Sequence, residues 1–279
     1  DRFSPSRRQL KQLLEAARGD AEADLVIKNV QLLDLINGDI ITTDVAIKDR
    51  WIAGIGDYQA KNTLDATGLT IVPGFIDAHT HIESSLMHPF EFEAATLPQG
   101  TLTTICDPHE IGNVLGEEGI SWFLRCAALM AQKMLVQIPS CIPSLPGFET
   151  NGDTLTLEAM KRLKESSHAF GLGEIMNLPA VVQGDDAVLD KIDLFQGRPL
   201  DGHAPTMTGK ALNAYRIAGI QNCHESVSAA EAKEKLRLGM AIMLREGSVA
   251  KNLDTMAPII NSFNSHQCLL CTDDRNPLD

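Results

Sequence analysis

The sequence is poor in aromatic residues, in positive charge and in long apolar runs. Phe, Trp and Tyr make up 5% of its 279 residues, against 44% hydrophobic residues in all. Its core must therefore be filled by aliphatic side chains, which suits an α/β protein. Lys and Arg number 24 against 37 Asp and Glu, a net charge of -13. Such a chain is repelled by nucleic-acid phosphates and anionic membranes, and small molecules are its expected partners. No apolar run reaches the ~18 residues of a spanning helix. The six cysteines, Cys106, Cys126, Cys141, Cys223, Cys268 and Cys271, are scattered through apolar stretches. They are too sparse for a disulfide scaffold and point to a reducing, cytoplasmic setting. Cys268 and Cys271 have C-x-x-C spacing, but on a strand i and i+3 face opposite sides. No Gly-rich phosphate loop follows any apolar strand, which leaves an open nucleotide-binding sheet as the weaker alternative for the fold.

What is present begins with a helix over 4–18, capped by Ser4 or Ser6, with Pro5 in the first turn and Leu10, Leu13, Leu14 and Ala17 on one face. Short β segments follow at 24–35, 44–48 and 51–56, with a turn at Asn37-Gly38, and the same texture continues to Gly68. Residues 1–68 are expected to form a small β-rich, sandwich-like domain. From residue 69 the texture changes. Apolar segments at 70–77, 101–106, 134–140, 169–175, 199–203, 219–224, 240–245 and 267–272 recur every 20 to 35 residues or so. Amphipathic stretches at 117–132, 155–166, 209–218, 229–238 and 250–262 lie between them. Eight strands alternating with helices predict a (β/α)8 TIM-type barrel over 69–279.

The ends of these strands carry an unusual set of residues. The first ends in His79 and His81, which share a face at spacing i, i+2. The fourth ends in Glu174, the fifth in His203, the sixth in His224, and the eighth in Asp273 or Asp274. A single strand-end His is commonly a hydrogen-bonded structural residue, but six metal-type ligands at the strand C-termini of one barrel form a pattern. Four imidazoles and two carboxylates suffice for two divalent metals: His79, His81 and Asp273 for one, His203 and His224 for the other, with Glu174 between. Ligands of this kind suit Zn2+, Mn2+ or Fe2+, and such a pair supplies hydroxide at neutral pH.

The residues around these positions resemble the adenine deaminases of the amidohydrolase superfamily. The superfamily motif is Pro73-Gly-Phe-Ile-Asp-Ala-His-Thr-His81. The pieces similar to adenine deaminases are Ile82-Glu-Ser-Ser85, Ile105-Cys-Asp-Pro-His-Glu-Ile-Gly-Asn113, Gly173-Glu-Ile-Met-Asn177, Asp201-Gly-His203, Asn222-Cys-His-Glu-Ser226, Leu244-Arg-Glu-Gly-Ser248 and Leu270-Cys-Thr-Asp-Asp-Arg-Asn-Pro277. The resemblance implies a purine-salvage hydrolase that converts adenine to hypoxanthine and ammonia with a hydroxide shared by two metals, Mn2+ or Fe2+ favoured. It also implies a cytoplasmic homo-oligomer. The fourth strand carries Glu174 where many relatives carry a carboxylated lysine, in keeping with the adenine deaminase branch. Asp273 would shuttle the proton to the leaving amine, and Glu83, Glu110 or His109 would protonate the ring. Asp107, His109, Ser226 and Asp274 are candidate substrate contacts. Glu225 and Glu246-Gly-Ser248 are weaker candidates, with Arg245 placed to pair with Glu246. Asp77 either orients a ligand or caps a strand end, and His88, His168 and His266 are expected on the surface or at caps. The alternatives are another amidohydrolase, acting on a different aminated heterocycle or a cyclic amide, and an inactive metal-binding fragment. Adenine deaminases run to roughly twice this length, so these residues are expected to lack the C-terminal part of the family pattern.

Overall fold

The computed structural model describes residues 4–278. The chain divides into two compact units, Asp1–Pro73 and Gly74–Asp279. In the first, helix α1 (Arg7–Ala17) opens with a reciprocal cap: Ser6 Oγ accepts from Gln9 N, and Gln9 Oε1 accepts from Ser6 N at 2.9 Å. On the helix, Ala16 is buried and Leu13 and Ala17 are half-buried, while Leu10 and Leu14 are about half exposed, so only part of the predicted face packs. Its last turn is fastened by Tyr58 Oη, which donates to Ala17 O at 2.9 Å. Strands β1 (Ala23–Asp34), β2 (Asp39–Lys48), β3 (Trp51–Ile55), β4 (Ala60–Asp65) and β5 (Thr70–Ile71) form one sheet in the order β3-β2-β1-β4, with β5 also on β1. Pairs β1–β2 and β2–β3 are antiparallel, whereas β4 and β5 run parallel to β1. The turn predicted at Asn37-Gly38 closes the β1–β2 hairpin, with Asp34 opposite Asp39. Small aliphatic residues, Ala23, Val26 and Ala46 in one cluster and Val30, Val45 and Ala66 in another, make up its core.

The segment 70–77, expected as one barrel strand, is two strands. Thr70 and Ile71 pair with β1, while Phe75–His81 is the first barrel strand, β6. Pro73, which has no N–H to give to a ladder, and Gly74 separate them. The barrel continues through β7 (Thr101–Cys106), β8 (Lys133–Ile138), β9 (Ala169–Ile175) and β10 (Leu200–Gly202), each parallel to the one before. Strands β11 (Asn222–Cys223), β12 (Ala241–Arg245) and β13 (Cys268–Cys271) follow in parallel, and β14 (Asp273–Asp274) pairs back on β6. Gln221 N donates to Leu200 O at 3.3 Å and Gly202 N to Asn222 Oδ1 at 2.8 Å, joining β10 to β11. With β13 running through Thr272 into β14, the ring of eight predicted strands closes into a TIM-type barrel.

Helices α2 (Pro89–Thr96), α3 (His109–Leu129), α4 (Leu157–Lys164), α5 (Leu178–Gln183), α6 (Asp186–Leu194), α7 (Gly209–Ile217), α8 (Ala229–Arg237) and α9 (Leu253–Met256) alternate with the strands. Phe123, Leu124 and Ala127 of α3 and Met160 and Leu163 of α4 join Met134, Val136 and Ile138 of β8 in the main core. Full burial of each large side chain contributes about 1.5–3 kcal/mol. Helix α3 begins eight residues earlier than expected, at His109, with Pro108 as its N-cap. Helices α2, α5 and α6 were not anticipated; Asn177 and Asp185 cap the last two through side-chain oxygens. The helix expected over 250–262 shrinks to α9 plus a 3-10 turn, since Pro258 interrupts it. Among the described residues no helix is long and apolar enough to cross a membrane.

Candidate metal centre

The β6 alternation turns both histidines into the barrel mouth, where His79 is fully buried and His81 nearly so. Their Nε2 atoms stand 3.1 Å apart. Glu174 Oε1, from β9, lies 2.8 Å from His79 Nε2, 2.9 Å from His81 Nε2 and 3.4 Å from His224 Nε2. Asp273 Oδ1 lies 3.3 Å from His81 Nε2 and 3.6 Å from His79 Nε2. The His224 ring stacks on His79 at 3.9 Å between centroids, and His203 meets His224 edge-on at 5.4 Å. Ligand atoms of His79, His81, Glu174 and Asp273 fall within 4.8 Å of one another, and so do those of Glu174, His203 and His224. Glu174 belongs to both groups.

Two glycines make this arrangement possible. A Cβ at Gly173 would meet Asp107 Oδ2 at 2.3 Å, and one at Gly202 would meet Asn222 O at 2.1 Å. The first close approach lets Asp107 Oδ2 accept from Glu174 N at 2.8 Å, which fixes the backbone of the shared carboxylate. The second brings β10 against β11 just before His203 and His224.

The hydrogen bonds behind the histidines decide which way their lone pairs face. His79 Nδ1 donates to Asp201 Oδ2 and His81 Nδ1 donates to Asp107 O, both at 2.8 Å. In the neutral rings both Nε2 lone pairs therefore aim at the same space as Glu174 and Asp273. Neither ring nitrogen of buried His224 has a hydrogen-bond partner. Lone pairs that converge on each other and on carboxylates repel unless a cation lies among them, so this donor set fits divalent metal ions. Burial lowers the basicity of His79 and His81. The carboxylates outweigh it, Asp201 and Glu174 at His79 and Asp273 and Glu174 at His81, and raise both well above the ordinary imidazole range. Burial likewise pushes Glu174 and Asp273 upward, but the surrounding imidazoles hold both carboxylates below their usual range.

A second shelf of ionisable groups borders the first. Burial, reinforced by Glu110, pushes Glu83 up to about 8. Its Oε1 accepts from Ile111 N at 3.1 Å, and its Oε2 is buried without a partner. Glu110 Oε2 lies 3.6 Å from His81 Nδ1, and Ser84 Oγ donates to Asp274 Oδ1 with Glu110 Oε1 3.4 Å away. The His109 ring lies 4.3 Å from that of His81, and burial together with His81 lowers it to about 4. Asp107 is fully buried, and burial and Glu174 push it up to about 8. Ser226 stands apart, its hydroxyl taken by Lys235 at 3.1 Å.

Other expectations need correction. Arg245 does not pair with Glu246; its guanidinium binds Glu225 and, at 2.9 Å, Asp273 Oδ2. Asp77 accepts from Thr272 N and Oγ1, so it fastens the β13–β14 junction to β6. His168 is buried at the start of β9, whereas His88 and His266 are exposed as expected. Asp201 was passed over, although its position two residues before His203 on a strand was a usable signal.

Residues 70–274 match the model of the amidohydrolase family. The chain belongs to that family. This amidohydrolase is 58% identical over 270 residues to an adenine deaminase of Bdellovibrio bacteriovorus, covering 95% of this chain and 46% of that protein. It is 54% identical over 278 residues to an adenine deaminase of Edwardsiella ictaluri, covering 98% and 47%. The chain thus spans about half the length of the curated relatives it matches. Among solved structures, a mutant atrazine chlorohydrolase of Arthrobacter aurescens TC1, complexed with zinc and atraton, superposes with a TM-score of 0.62 at 13% identity. It covers 91% of this chain and 73% of that one. A D-hydantoinase gives 0.52 at 16%, over 79% and 57%. At such identities these two speak for the fold alone.

Proposed function

We propose that this chain carries the metal centre of an adenine deaminase, an enzyme of purine salvage that hydrolyses adenine to hypoxanthine and ammonia. The observation that carries the proposal is the convergence of four imidazoles and the Asp273 carboxylate around Glu174, in a chain 58% identical to an adenine deaminase across nearly all of its length. His79, His81 and Asp273 would hold one divalent ion and His203 and His224 the other, with Glu174 shared; Mn2+ and Fe2+ are favoured over Zn2+. Bound there, such ions polarise water toward hydroxide at neutral pH.

The chain's own groups then divide the remaining work. Asp201 and Asp107 O fix the tautomers of His79 and His81. Arg245 grips Asp273 Oδ2 and leaves Oδ1 facing the imidazoles, and the Asp273 carboxylate is the group assigned to carry a proton to the leaving amine. Glu83, raised by burial and with a buried, unpartnered Oε2, is the group assigned to protonate N1 of the purine ring. Ser84, Asp274, Glu110 and His109 frame the place for the substrate edge, while Asp107 and Ser226 serve as supports. Six cysteines free of disulfides favour a reducing, cytoplasmic compartment.

The test is ammonia release by the purified full-length protein, loaded with Mn2+, from adenine, guanine and cytosine in parallel. Adenine is the expected substrate. A preference for guanine or cytosine would overturn the assignment.

A further inference from the structure

Lys235 on α8 is fully buried, although a lysine ordinarily extends its ammonium into water. Its Nζ donates to Glu231 Oε1 and Ala204 O at 2.6 Å, reaches Ser226 Oγ at 3.1 Å, and approaches Cys223 Sγ at 3.3 Å. Glu231 continues the pattern: Oε1 accepts from Thr206 N at 2.9 Å and Oε2 from Val227 N at 3.1 Å. Apart from the bond between the two charges, all of these contacts fall on two short segments. Ala204 and Thr206 follow His203, and Cys223, Ser226 and Val227 flank His224.

The histidines themselves are held lightly. His224 has no hydrogen bond at either ring nitrogen, and the His203 side chain is 22% exposed, with Glu225 Oε1 3.6 Å from its Nε2. Their separation is therefore set through the backbone. Tyr215 Oη contributes by accepting from His203 N at 3.1 Å and donating to Ile175 O at 2.7 Å. The Lys235–Glu231 pair spans both segments. A buried ion pair is a weak device for stability, since apolar replacements often do as well. A charge with four acceptors around it is a strong device for fixing two loops at one spacing.

We infer that Lys235, with Glu231, is a positioning residue that clamps the His203 and His224 loops together and so sets the geometry of the second metal site. The inference rests on the proposed role of those histidines. It is tested by manganese binding and electron paramagnetic resonance on the full-length protein. The wild-type protein should bind two Mn2+ per chain and give an exchange-coupled spectrum; fewer than two would defeat the dinuclear proposal itself, and this inference with it. In Lys235→Met the second Mn2+ should bind about 10- to 100-fold more weakly, with the first retained. The coupled spectrum should give way to that of isolated Mn2+. Because a stranded Glu231 carboxylate can itself unfold the protein, the double variant Glu231→Leu, Lys235→Met removes both charges, and the same selective loss is expected there. Second-site affinity within threefold of wild type in either folded variant overturns the inference. Equal weakening of both ions, or a double variant that no longer folds, assigns the pair to general barrel stability and overturns it as well.

Discussion

Asp24 in the β unit and Glu174 in the barrel are both carboxylates held below their usual range, and they reach that condition in opposite ways. Asp24 is on the surface. The amide of Asp49 is the largest influence on it, followed by the ammonium groups of Lys61 and Lys48, all at 2.9 Å. Everything that balances its charge is supplied by the chain and screened by water. Glu174 is buried, and burial is the largest influence on it, acting in the contrary direction; three imidazoles must overcome it. Two of those imidazoles already donate hydrogen bonds from Nδ1, to Asp201 and to Asp107 O. One carboxylate is a finished surface interaction, and the other belongs to a donor set that calls for a cation. The contrast separates what holds this protein together from what it is built to do.

The largest expected effect follows from removing the charge of Glu174. Glu174→Gln keeps the size of the side chain and takes away the anion shared by both ligand groups. The full-length protein should retain at most one metal per chain and lose at least ~10³-fold in adenine turnover, equivalent to roughly 4 kcal/mol of barrier. Its melting temperature, measured in chelator, should fall, because the buried imidazoles that hold Glu174 below its usual range lose their counter-charge. Full metal content with full activity would erase the distinction between the two carboxylates.

A smaller loss is expected one step behind the ligands. Asp201→Asn leaves an acceptor for His79 Nδ1 but removes the negative charge, so the ring becomes a poorer donor to a metal. Competition with a chelator should show metal affinity reduced about 10- to 100-fold, with an unchanged circular dichroism spectrum. If instead stability fell and affinity did not, Asp201 would belong with Asp24 on the structural side of the comparison.

Much of the barrel and of its mouth was legible because strand ends and even spacings are local signals. His79 and His81 announce a shared face by position alone, and Glu174, His203, His224 and Asp273 each close an apolar run. What stayed hidden depends on partners distant in sequence. The meaning of Asp201 comes from His79, 122 positions away, and that of Arg245 from Glu225 and Asp273, 20 and 28 positions away. Lys235 looked like one more charge on an amphipathic helix, and only the close approach of two loops shows why it is buried. Local misreadings also had local causes. The start of α3 at His109 lies ahead of the apolar spacing that predicts the helix from 117, and Pro258 breaks a segment whose apolar spacing is helical.

The smallest expected effect lies in the β unit and completes the comparison from the other side. Asp24→Asn removes the partner of Lys48 and Lys61 where the Asp24 side chain is about a third exposed, so screening keeps the loss at or below about 1 kcal/mol. The sign of its pH dependence is fixed by the direction of the shift. The folded-state value lies below the unfolded one, so the contribution is fully present above the ordinary carboxylate range and fades as pH falls toward the folded-state value. Denaturant unfolding of wild type and variant should differ slightly at pH 7 and converge in acid, while metal content and turnover stay the same. A loss of metal in this variant would mean that the surface carboxylate serves the site after all, and the separation of stability from function drawn between Asp24 and Glu174 would fail.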